Sequence, residues 1–271
     1  MLTFLFWNLK KRPLQENIRR LVSLHKIDVL MFAEFSVEPD LLLRSLKRKG
    51  ISGFCHAPGA CRKMEIFTRF PAKFISPVYE NDRLTIRHLC LKDITDILVA
   101  VGHFPSKTYQ SDMSQAFECS ELSREIRQAE QEIGHSRTIL VGDFNMNPFE
   151  DGIVSTGGFN AVMTRGIAER KFRTVQNRKY PFFYNPMWGL FGDASPGRPP
   201  GTYYHSGSEH RNFFWNMFDQ VLIRPDLTDS FRDEELRILG SDGHASFMTP
   251  YGIPNGRTLS DHLPILFRLR L

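Results

Sequence analysis

The feature that most constrains the fold is a short apolar run that ends in polar residues. Residues 138–142 (Thr-Ile-Leu-Val-Gly) favour a buried strand, and Asp143 and Asn145 follow at its carboxyl end. Because side chains alternate along a strand, the two polar side chains are expected on the same face. A carboxylate and an amide delivered together at a strand end suit the binding of a metal ion, a water molecule or a phosphate.

The same pattern returns near the end of the chain. Residues 260–264 (Ser-Asp-His-Leu-Pro) come directly before the apolar run 265–271, which favours a strand. Here Asp261 and His262 put an acid next to an imidazole. Two polar strand ends that lie so far apart in sequence predict one site that the fold assembles.

Between these two motifs the hydrophobic pattern alternates between strand and helix periods. Strands are predicted to end at polar residues over 2–7, 28–33 and 97–102, with further strands over 64–69, 84–91 and 219–224. Helices are predicted after Pro13, over 39–49, and over 112–133 with Ser111 as cap and Gly134 as stop. This order fits two packed sheets with helices outside better than it fits a simple doubly wound sheet.

The length and composition suit a large α/β domain. The chain has 271 residues, of which 41% are hydrophobic, and we expect a single domain over 1–271. The segment from about 155 to 217 is rich in Gly, Pro, Arg and aromatic residues. An irregular segment of this length is usually functional, so we expect it to be an elaboration of that domain.

Positive charge is concentrated in one part of this segment. Residues 165–179 contain six Lys or Arg and one Glu, an excess equal to the net charge of +5. The stretch is either a solvated face or a seat for a polyanion, in which case Arg170, Lys171 and Arg173 would contact substrate phosphates. The aromatic residues over 180–191 either stack bases or form a local core.

Cysteine usage and hydropathy indicate the compartment. The four cysteines form neither a dense disulfide framework nor a zinc pattern, and the apolar N-terminus lacks the order of a signal peptide. No run approaches the roughly 20 apolar residues that cross a bilayer. We therefore expect free thiols and a cytoplasmic protein without a membrane span.

The polar residues at the predicted strand ends form one chemically coherent set. They are Asn8, Glu34, His103, Asp143, Asn145, Asp219, Asp261 and His262. Oxygen donors without cysteine favour a hard cation such as Mg²⁺ or Mn²⁺, and the histidines can carry protons near neutral pH. The set predicts attack of an oriented water molecule on phosphorus.

These residues lie in motifs that resemble those of the endonuclease/exonuclease/phosphatase superfamily. The motifs are Trp7-Asn8, the strand ending in Glu34, Gly102-His103, Gly142-Asp143-Phe144-Asn145, Phe218-Asp219-Gln220-Val221 and Ser260-Asp261-His262-Leu263-Pro264. They run in the family's order over nearly the whole chain. The resemblance implies an α/β fold, a four-layered α/β/β/α sandwich of two mixed sheets packed face to face with helices outside, and a divalent-metal-dependent phosphoesterase.

The resemblance also implies roles for the acidic and amide residues. Glu34 matches the family's main metal ligand, and Asn8 lies beside it. Asp261 matches a residue that contacts the metal directly or through another ligand. Asp143 resembles the acid that orients or deprotonates the attacking water, and Asn145 would hold a phosphate oxygen or a second ion.

Further roles follow for the histidines, together with one departure from the family pattern. Asp219 resembles the acid that orients His262, which would contact the scissile phosphate or act as base. His103 resembles a histidine that supports the phosphate or the leaving group. Glu65 is a candidate for its acid partner, but the spacing from Glu65 to Arg69 fits the family pattern poorly, so no partner is assigned. Lys10 stands where abasic-site endonucleases carry an acidic or amide residue, which argues against that branch.

The sequence leaves three functions open. A nuclease is favoured because of the basic, aromatic segment, and nucleic acid is then the substrate. The alternative enzyme is a phosphatase or phosphodiesterase that acts on a small molecule or a lipid head group. The third is a non-catalytic binding module with the same fold, since one scaffold hosts many functions.

Overall fold

The secondary structure follows the predicted alternation of strands and helices. The computed structural model describes residues 1–48, 50–108, 110–193 and 197–271. Its strands are β1 (Leu2–Asn8), β2 (Val29–Ala33), β3 (Cys55–His56), β4 (Met64–Thr68), β5 (Ile75–Glu80), β6 (Leu84–Leu89), β7 (Ile97–His103), β8 (Thr138–Asp143), β9 (Ala161–Val162), β10 (Phe172–Val175), β11 (Arg178–Pro181), β12 (Phe183–Tyr184), β13 (Tyr203–Tyr204), β14 (Trp215–Asn216), β15 (Asp219–Ile223), β16 (Arg237–Ile238) and β17 (Ile265–Leu269). Its α-helices are α1 (Gln15–His25), α2 (Pro39–Arg48), α3 (Asp112–Ile133), α4 (Asp151–Val154) and α5 (Arg165–Ala168).

Two mixed sheets carry the fold. One has six strands in the order β16-β17-β1-β2-β4-β3, and the other has seven in the order β5-β6-β7-β8-β15-β12-β9. Two small hairpins, β10-β11 and β13-β14, lie outside them.

Alternation along the strands divides the core into three layers. Phe4 and Phe6 of β1 pack with Val99 and Val141 of the other sheet, so these faces meet in the middle of the molecule. The residues that alternate with them point outward. Trp7 and its neighbours pack on α1 and α2, while the outer face of the seven-stranded sheet packs on α3. The four-layered α/β/β/α sandwich is therefore confirmed.

The longest helix, α3, begins and ends where capping chemistry predicts. The Ser111 side chain accepts a hydrogen bond from Ser114 N at the start of α3, and Gly134 ends the helix with φ +84°. The first helix begins at Gln15, later than Pro13 suggested. The reason is a tight turn before it, in which Arg12 N donates to Leu9 O.

The topology brings the motif residues to the same end of both sheets, where the strand ends lie. Strands β7 and β8 are parallel, which pairs His103 with Asp143. Strand β15 runs antiparallel to β8, and its first residue, Asp219, also pairs with Asp143. In the other sheet β1 and β2 are parallel. Asn8 and Glu34, the residue after β2, therefore lie at the same end of that sheet.

The segment over 155–217 is more ordered than its sequence suggested. It contributes β9 and β12 to the edge of the seven-stranded sheet, next to β15. These strands have two residues each, which is too short for a periodic pattern in the sequence. The described residues contain no helix that is both long and apolar enough to cross a bilayer.

Candidate functional site

A polar cleft of about 550 Å³ opens at this common end of the two sheets. Its lining includes all eight strand-end residues except Asp219, which lies buried directly beneath it. The seven strand-end residues that line it are Asn8, Glu34, His103, Asp143, Asn145, Asp261 and His262. The fold thus assembles one site from both sheets, as the sequence predicted.

Asp143 lies at the centre of this group. Its side chain is buried, and its Oδ2 accepts a hydrogen bond of 2.9 Å from the Asn8 amide. The Nε2 atoms of His103 and His262 approach the same oxygen at 3.7 and 3.8 Å. A carboxylate surrounded by two imidazoles and an amide can orient a water molecule in the space between them.

Asp143 and Asn145 both reach the cleft, but through a turn and not through strand alternation. Strand β8 ends at Asp143, and Asn145 has a left-handed backbone with φ +50°. Asn145 N donates to Asp143 Oδ1 (3.0 Å), and its side-chain amide donates to Phe104 O (3.0 Å). Gly142 is required just before this turn, because an added Cβ would lie 2.0 Å from the Gly102 carbonyl oxygen.

A second strained turn aims Glu34 into the cleft. Glu34 follows β2 with φ +50°, and Lys10 and Lys11 after β1 are also left-handed, with φ +48° and +54°. The two turns hold each other, because Lys11 N donates to Glu34 O (3.0 Å). Non-glycine residues in this region cost energy and cluster at functional sites.

Asp219 and His262 form the carboxylate–imidazole pair that the sequence predicted. Asp219 Oδ2 lies 2.8 Å from His262 Nδ1, and both residues are buried. Burial lowers the pKa of His262, but the charges of Asp219, Asp143 and Asp261 outweigh it and raise that pKa to about 10. Burial also raises the pKa of Asp219, against the opposing charge of His262. The pair therefore holds a proton firmly through neutral pH.

Four residues that sequence reasoning passed over hold this pair in position. Ser260 Oγ donates to Asn8 O (2.6 Å) and accepts from His262 N (3.1 Å), which ties the two motifs together. Trp7 Nε1 donates to His262 O, and Asp219 N donates to Thr202 Oγ1. The Tyr203 ring lies 4.8 Å from the His262 ring. Trp7 and Ser260 belong to the motifs, whereas Thr202 and Tyr203 gave no signal beyond their neighbourhood.

His103 is held between two carboxylates. Its Nε2 lies 3.7 Å from Asp143 Oδ2 and 3.9 Å from Glu34 Oε1. Its Nδ1 is buried and has no hydrogen-bond partner in the described part of the chain. Glu65 is engaged elsewhere, since its Oε2 lies 2.5 Å from His56 Nε2.

Lys10 forms an ion pair inside the cleft. Its Nζ lies 2.6 Å from Asp261 Oδ2, and both side chains are partly exposed. The ammonium group therefore neutralises one of the carboxylates that were expected near the metal. The sequence flagged this position as unusual but gave no partner for it.

The basic stretch does not reach the cleft. Lys171 pairs with Asp226 (2.9 Å), beyond the far end of β15, and Arg170 and Arg173 are exposed near it. A strand rises about 3.3 Å per residue, so the far end of β15 is about 13 Å from Asp219. Arg170, Lys171 and Arg173 are therefore not brought together with the other site residues. Charge along a sequence does not tell which end of a sheet it will occupy.

Other polar and aromatic residues line the cleft instead. Lys107 and His205 lie along it, with Lys107 paired to Asp112 (2.8 Å) and to Glu150. Arg211 and Phe213 also line it. Phe213 belongs to the aromatic run 213–215, whose proximity to the site was not apparent from the sequence.

The donor set fits a divalent cation. The Glu34 carboxylate accepts no hydrogen bond from any described residue and faces the cleft, and Asn8 and Asp261 add further oxygens beside it. Carboxylate and amide oxygens are the ligands that Mg²⁺ and Mn²⁺ prefer. Asp143, Asp219 and His262 also offer ligand atoms that lie within 4.8 Å of one another. Of these atoms, His262 Nδ1 is already engaged by Asp219 Oδ2 at 2.8 Å.

Several solved structures share this fold at low sequence identity. The endonuclease domain of TRAS1, a telomere-specific non-LTR retrotransposon, is 13% identical with a TM-score of 0.57, over 100% of this chain and 99% of that chain. TDP2 from D. rerio, complexed with a single-strand DNA product, is 13% identical with a TM-score of 0.56 over the same shares. The human nocturnin catalytic domain with bound sulfate is 14% identical with a TM-score of 0.56, over 98% of this chain and 93% of that chain.

The family assignment comes from the sequence model. A search of the curated proteins finds no match. The model of the Endonuclease/Exonuclease/phosphatase family, however, matches residues 5–262, a range that contains all eight strand-end residues. The chain therefore belongs to the endonuclease/exonuclease/phosphatase family.

Proposed function

We propose that this protein is a nuclease that hydrolyses phosphodiester bonds with the help of Mg²⁺ or Mn²⁺. Family membership supports a metal-dependent phosphoesterase. The observation that carries the proposal is the convergence of Asn8, His103 and His262 on the buried carboxylate of Asp143. The cleft around this carboxylate has a volume of about 550 Å³, which is enough to hold a phosphoryl group together with water.

Three cleft residues with oxygen donors would hold the metal. Glu34 is the main ligand in this proposal, with Asn8 and Asp261 as further oxygen donors. When bound, the cation polarises a phosphoryl oxygen and neutralises negative charge on the phosphate. The strained backbone of Glu34 supports its assignment, because it aims the carboxylate into the cleft before any ligand arrives.

The remaining residues orient the water and hold the phosphate. Asp143 accepts a hydrogen bond from the attacking water and takes up its proton. His262 stays protonated at neutral pH and stabilises the negative charge that develops on the phosphate, while Asp219 fixes its ring. Asn145 uses its second amide hydrogen for a phosphate oxygen, and His103 supports the leaving group.

The rim of the cleft favours nucleic acid over a small phosphoester. Arg211 and the exposed ring of Phe213 line it, and such groups suit a phosphate and a base respectively. TDP2, which shares the fold, has been seen with a single-strand DNA product. A small-molecule or lipid head-group phosphoester is the alternative that an experiment must separate.

The proposal is tested by a panel of substrates in Mg²⁺, in Mn²⁺ and in EDTA. The panel contains single-stranded DNA, supercoiled plasmid, RNA, an inositol polyphosphate and bis-p-nitrophenyl phosphate. We expect metal-dependent cleavage of a nucleic acid, reduced at least about 100-fold in Asp143→Asn because the water loses its base. Asp229→Asn, an exposed acid outside the cleft, makes the same chemical change and should retain full activity.

Three results would contradict parts of this proposal. Turnover of the inositol polyphosphate alone would assign the cleft to a small substrate. Equal loss of activity in Asp143→Asn and Asp229→Asn would remove the cleft from the reaction. Metal binding without turnover of any substrate would favour the binding module over the enzyme.

A further inference from the structure

The rim of the cleft carries an aromatic ring that packs against a neighbouring ring and remains partly exposed. Phe213 lines the cleft, and its side chain is 45% exposed. The ring of Phe149 lies 5.3 Å from it between centroids, with an angle of 63° between the two planes. Phe149 itself packs against Trp188 and Phe191. The ring of Phe213 is thus held by an aromatic cluster without being buried by it.

Arg211 adds a positive charge at the same place. Its guanidinium carbon lies 5.4 Å from the centre of the Phe213 ring, and both residues line the cleft. Across the described ranges Arg211 forms no ion pair with an acidic side chain, although its charge helps to lower the pKa of Asp112. A planar guanidinium of this kind binds phosphate oxygens through two N–H groups.

The segment that carries these residues is connected to the reacting groups. Asn212 closes its turn, since its Oδ1 accepts from Phe214 N (2.8 Å) and its Nδ2 donates to Gly207 O (2.9 Å). The turn lies between β13 and β14, and β13 contains Tyr203, whose ring lies 4.8 Å from that of His262. Phe213 is therefore held at a fixed position relative to His262.

We propose that Phe213 and Arg211 form a nucleotide subsite, in which Phe213 stacks on an unpaired base next to the scissile phosphate and Arg211 binds the neighbouring phosphate. The inference rests on the proposed nuclease function and narrows its substrate to single-stranded nucleic acid. In a duplex the two faces of an internal base are covered by its neighbours, so that the ring could not reach it. An inositol phosphate offers no aromatic face.

The chain contains a matched control for this subsite. On the exposed hairpin β10-β11, Lys179 Nζ lies 4.5 Å from the centre of the Phe172 ring, and Phe172 is 41% exposed. This pair also places a cation over an exposed aromatic ring, with an ammonium in place of a guanidinium, but it belongs to the basic stretch and does not line the cleft. Phe172→Ala thus reports what the loss of an exposed ring does by itself.

The experiment measures binding of a fluorescent single-stranded oligonucleotide in EDTA, where no hydrolysis occurs. Phe213→Ala is expected to weaken binding about 5- to 100-fold, the range for loss of one stacked base, and Phe172→Ala to leave it unchanged. An oligonucleotide of the same length with abasic residues keeps the phosphates but lacks bases. Wild type and Phe213→Ala should bind it equally, while Arg211→Gln should weaken binding of both oligonucleotides.

The proposal is overturned if Phe213→Ala binds the normal oligonucleotide as wild type does, or if Phe172→Ala weakens binding as much. Phe213→Leu, which keeps an apolar side chain without an aromatic face, should weaken binding in the same direction as Phe213→Ala; wild-type binding by this variant also contradicts stacking. Metal-dependent turnover of bis-p-nitrophenyl phosphate, lost in Asp143→Asn, tests the proposed function separately. Such turnover with unchanged binding by Phe213→Ala would reject the subsite and leave the proposed phosphodiester hydrolysis standing.

Discussion

At Asp143, burial and a ring of donors act together on one carboxylate. The side chain is buried, yet the Asn8 amide and two imidazoles surround Oδ2, and the backbone of Asn145 binds Oδ1. Hydrogen bonds to a carboxylate stabilise its charged form and compensate for the loss of solvent. Hydrogen bonds to both oxygens therefore hold the Asp143 carboxylate in place at the cleft, where it can orient a water molecule.

The Asp219–His262 pair makes a prediction about protonation. Replacement of Asp219 by Asn removes the largest of the three charges that outweigh burial, so the pKa of His262 should fall from about 10 toward 6.5. Activity should fall at least about 100-fold near neutral pH, because the ring loses its charge. The pKa is measured by NMR titration of the His262 ring protons in EDTA.

The same shift predicts how the pair affects stability. Because the pKa of His262 is raised on folding, its contribution to the free energy of unfolding is complete below about pH 6.5 and is lost as the pH rises toward 10. Asp219→Asn should therefore be least stable relative to wild type at low pH within this window. A His262 ring that titrates near pH 6.5 in the wild type would contradict the account.

Lys10 predicts an unusual effect of removing a positive charge. Lys10→Gln should increase the affinity for Mn²⁺ about two- to fivefold, because Asp261 is released from its ion pair and a repelling charge disappears. Lys11→Gln makes the same change at the next residue, which is exposed and does not line the cleft, and should have little effect. Calorimetric titration measures both affinities, and an unchanged value for Lys10→Gln would show that the pair does not oppose the metal.

At the scale of elements, the strands that carry the site were the most predictable part of the chain. Strands β1, β7 and β8 have long apolar patterns with a polar residue at the end, and they were predicted within one residue of their observed bounds. Asp219 was expected at a strand end, but it begins β15, which is antiparallel. It lies at the same end of the sheet because the start of an antiparallel strand lies beside the end of its neighbour.

At the end of the seven-stranded sheet away from the cleft, a cluster of charged side chains connects the residues after α3 to the strands. Asp96 Oδ2 lies 2.9 Å from His88 Nε2 and 3.2 Å from His135 Nε2, and Arg137 binds the other oxygen of Asp96. His135 Nδ1 accepts a hydrogen bond from Arg137 N, so its Nε2 carries the proton and donates to Asp96. The cluster is therefore a hydrogen-bonded network and not a set of metal ligands.

This network predicts the response of the fold to acid. Burial raises the pKa of Asp96, but hydrogen bonds from His88 and Arg137 outweigh it and lower that pKa to about 2. The contribution of Asp96 to the free energy of unfolding is complete above about pH 4 and is lost as the pH falls toward 2. Asp96→Asn should lower that free energy by about 1–2 kcal/mol at pH 7 and flatten its decline between pH 4 and 2.

Urea denaturation at several pH values measures this effect. Asp93→Asn changes an exposed acid three residues away and should leave the curve unchanged, since Asn tolerates the left-handed backbone at that position. Parallel curves for wild type and Asp96→Asn below pH 4 would show that the network does not depend on this charge.

At the scale of the whole molecule, the cleft forms where strand ends of the two sheets lie next to each other. The sequence could predict this because the motif residues lie at strand ends, and ligand sites form at such ends. It could not predict which surface features lie near that end of the sheets. Arg170, Lys171 and Arg173 lie beyond the far end of β15, whereas Phe213 is brought to the rim by the hairpin β13-β14. Both outcomes depend on turns of a few residues, which carry no periodic pattern.

The measurement that tests the account most directly is thermal unfolding in the presence of Mn²⁺. A cation bound by Glu34 stabilises the folded protein, and at a Mn²⁺ concentration about 100 times Kd the gain is about 2.7 kcal/mol, which raises Tm by about 5 °C in a chain of this size. Glu34→Gln should abolish this shift, and Glu38→Gln, an exposed acid four residues away, should retain it. A wild type whose Tm does not respond to Mn²⁺, or a shift that persists in Glu34→Gln, would contradict the account.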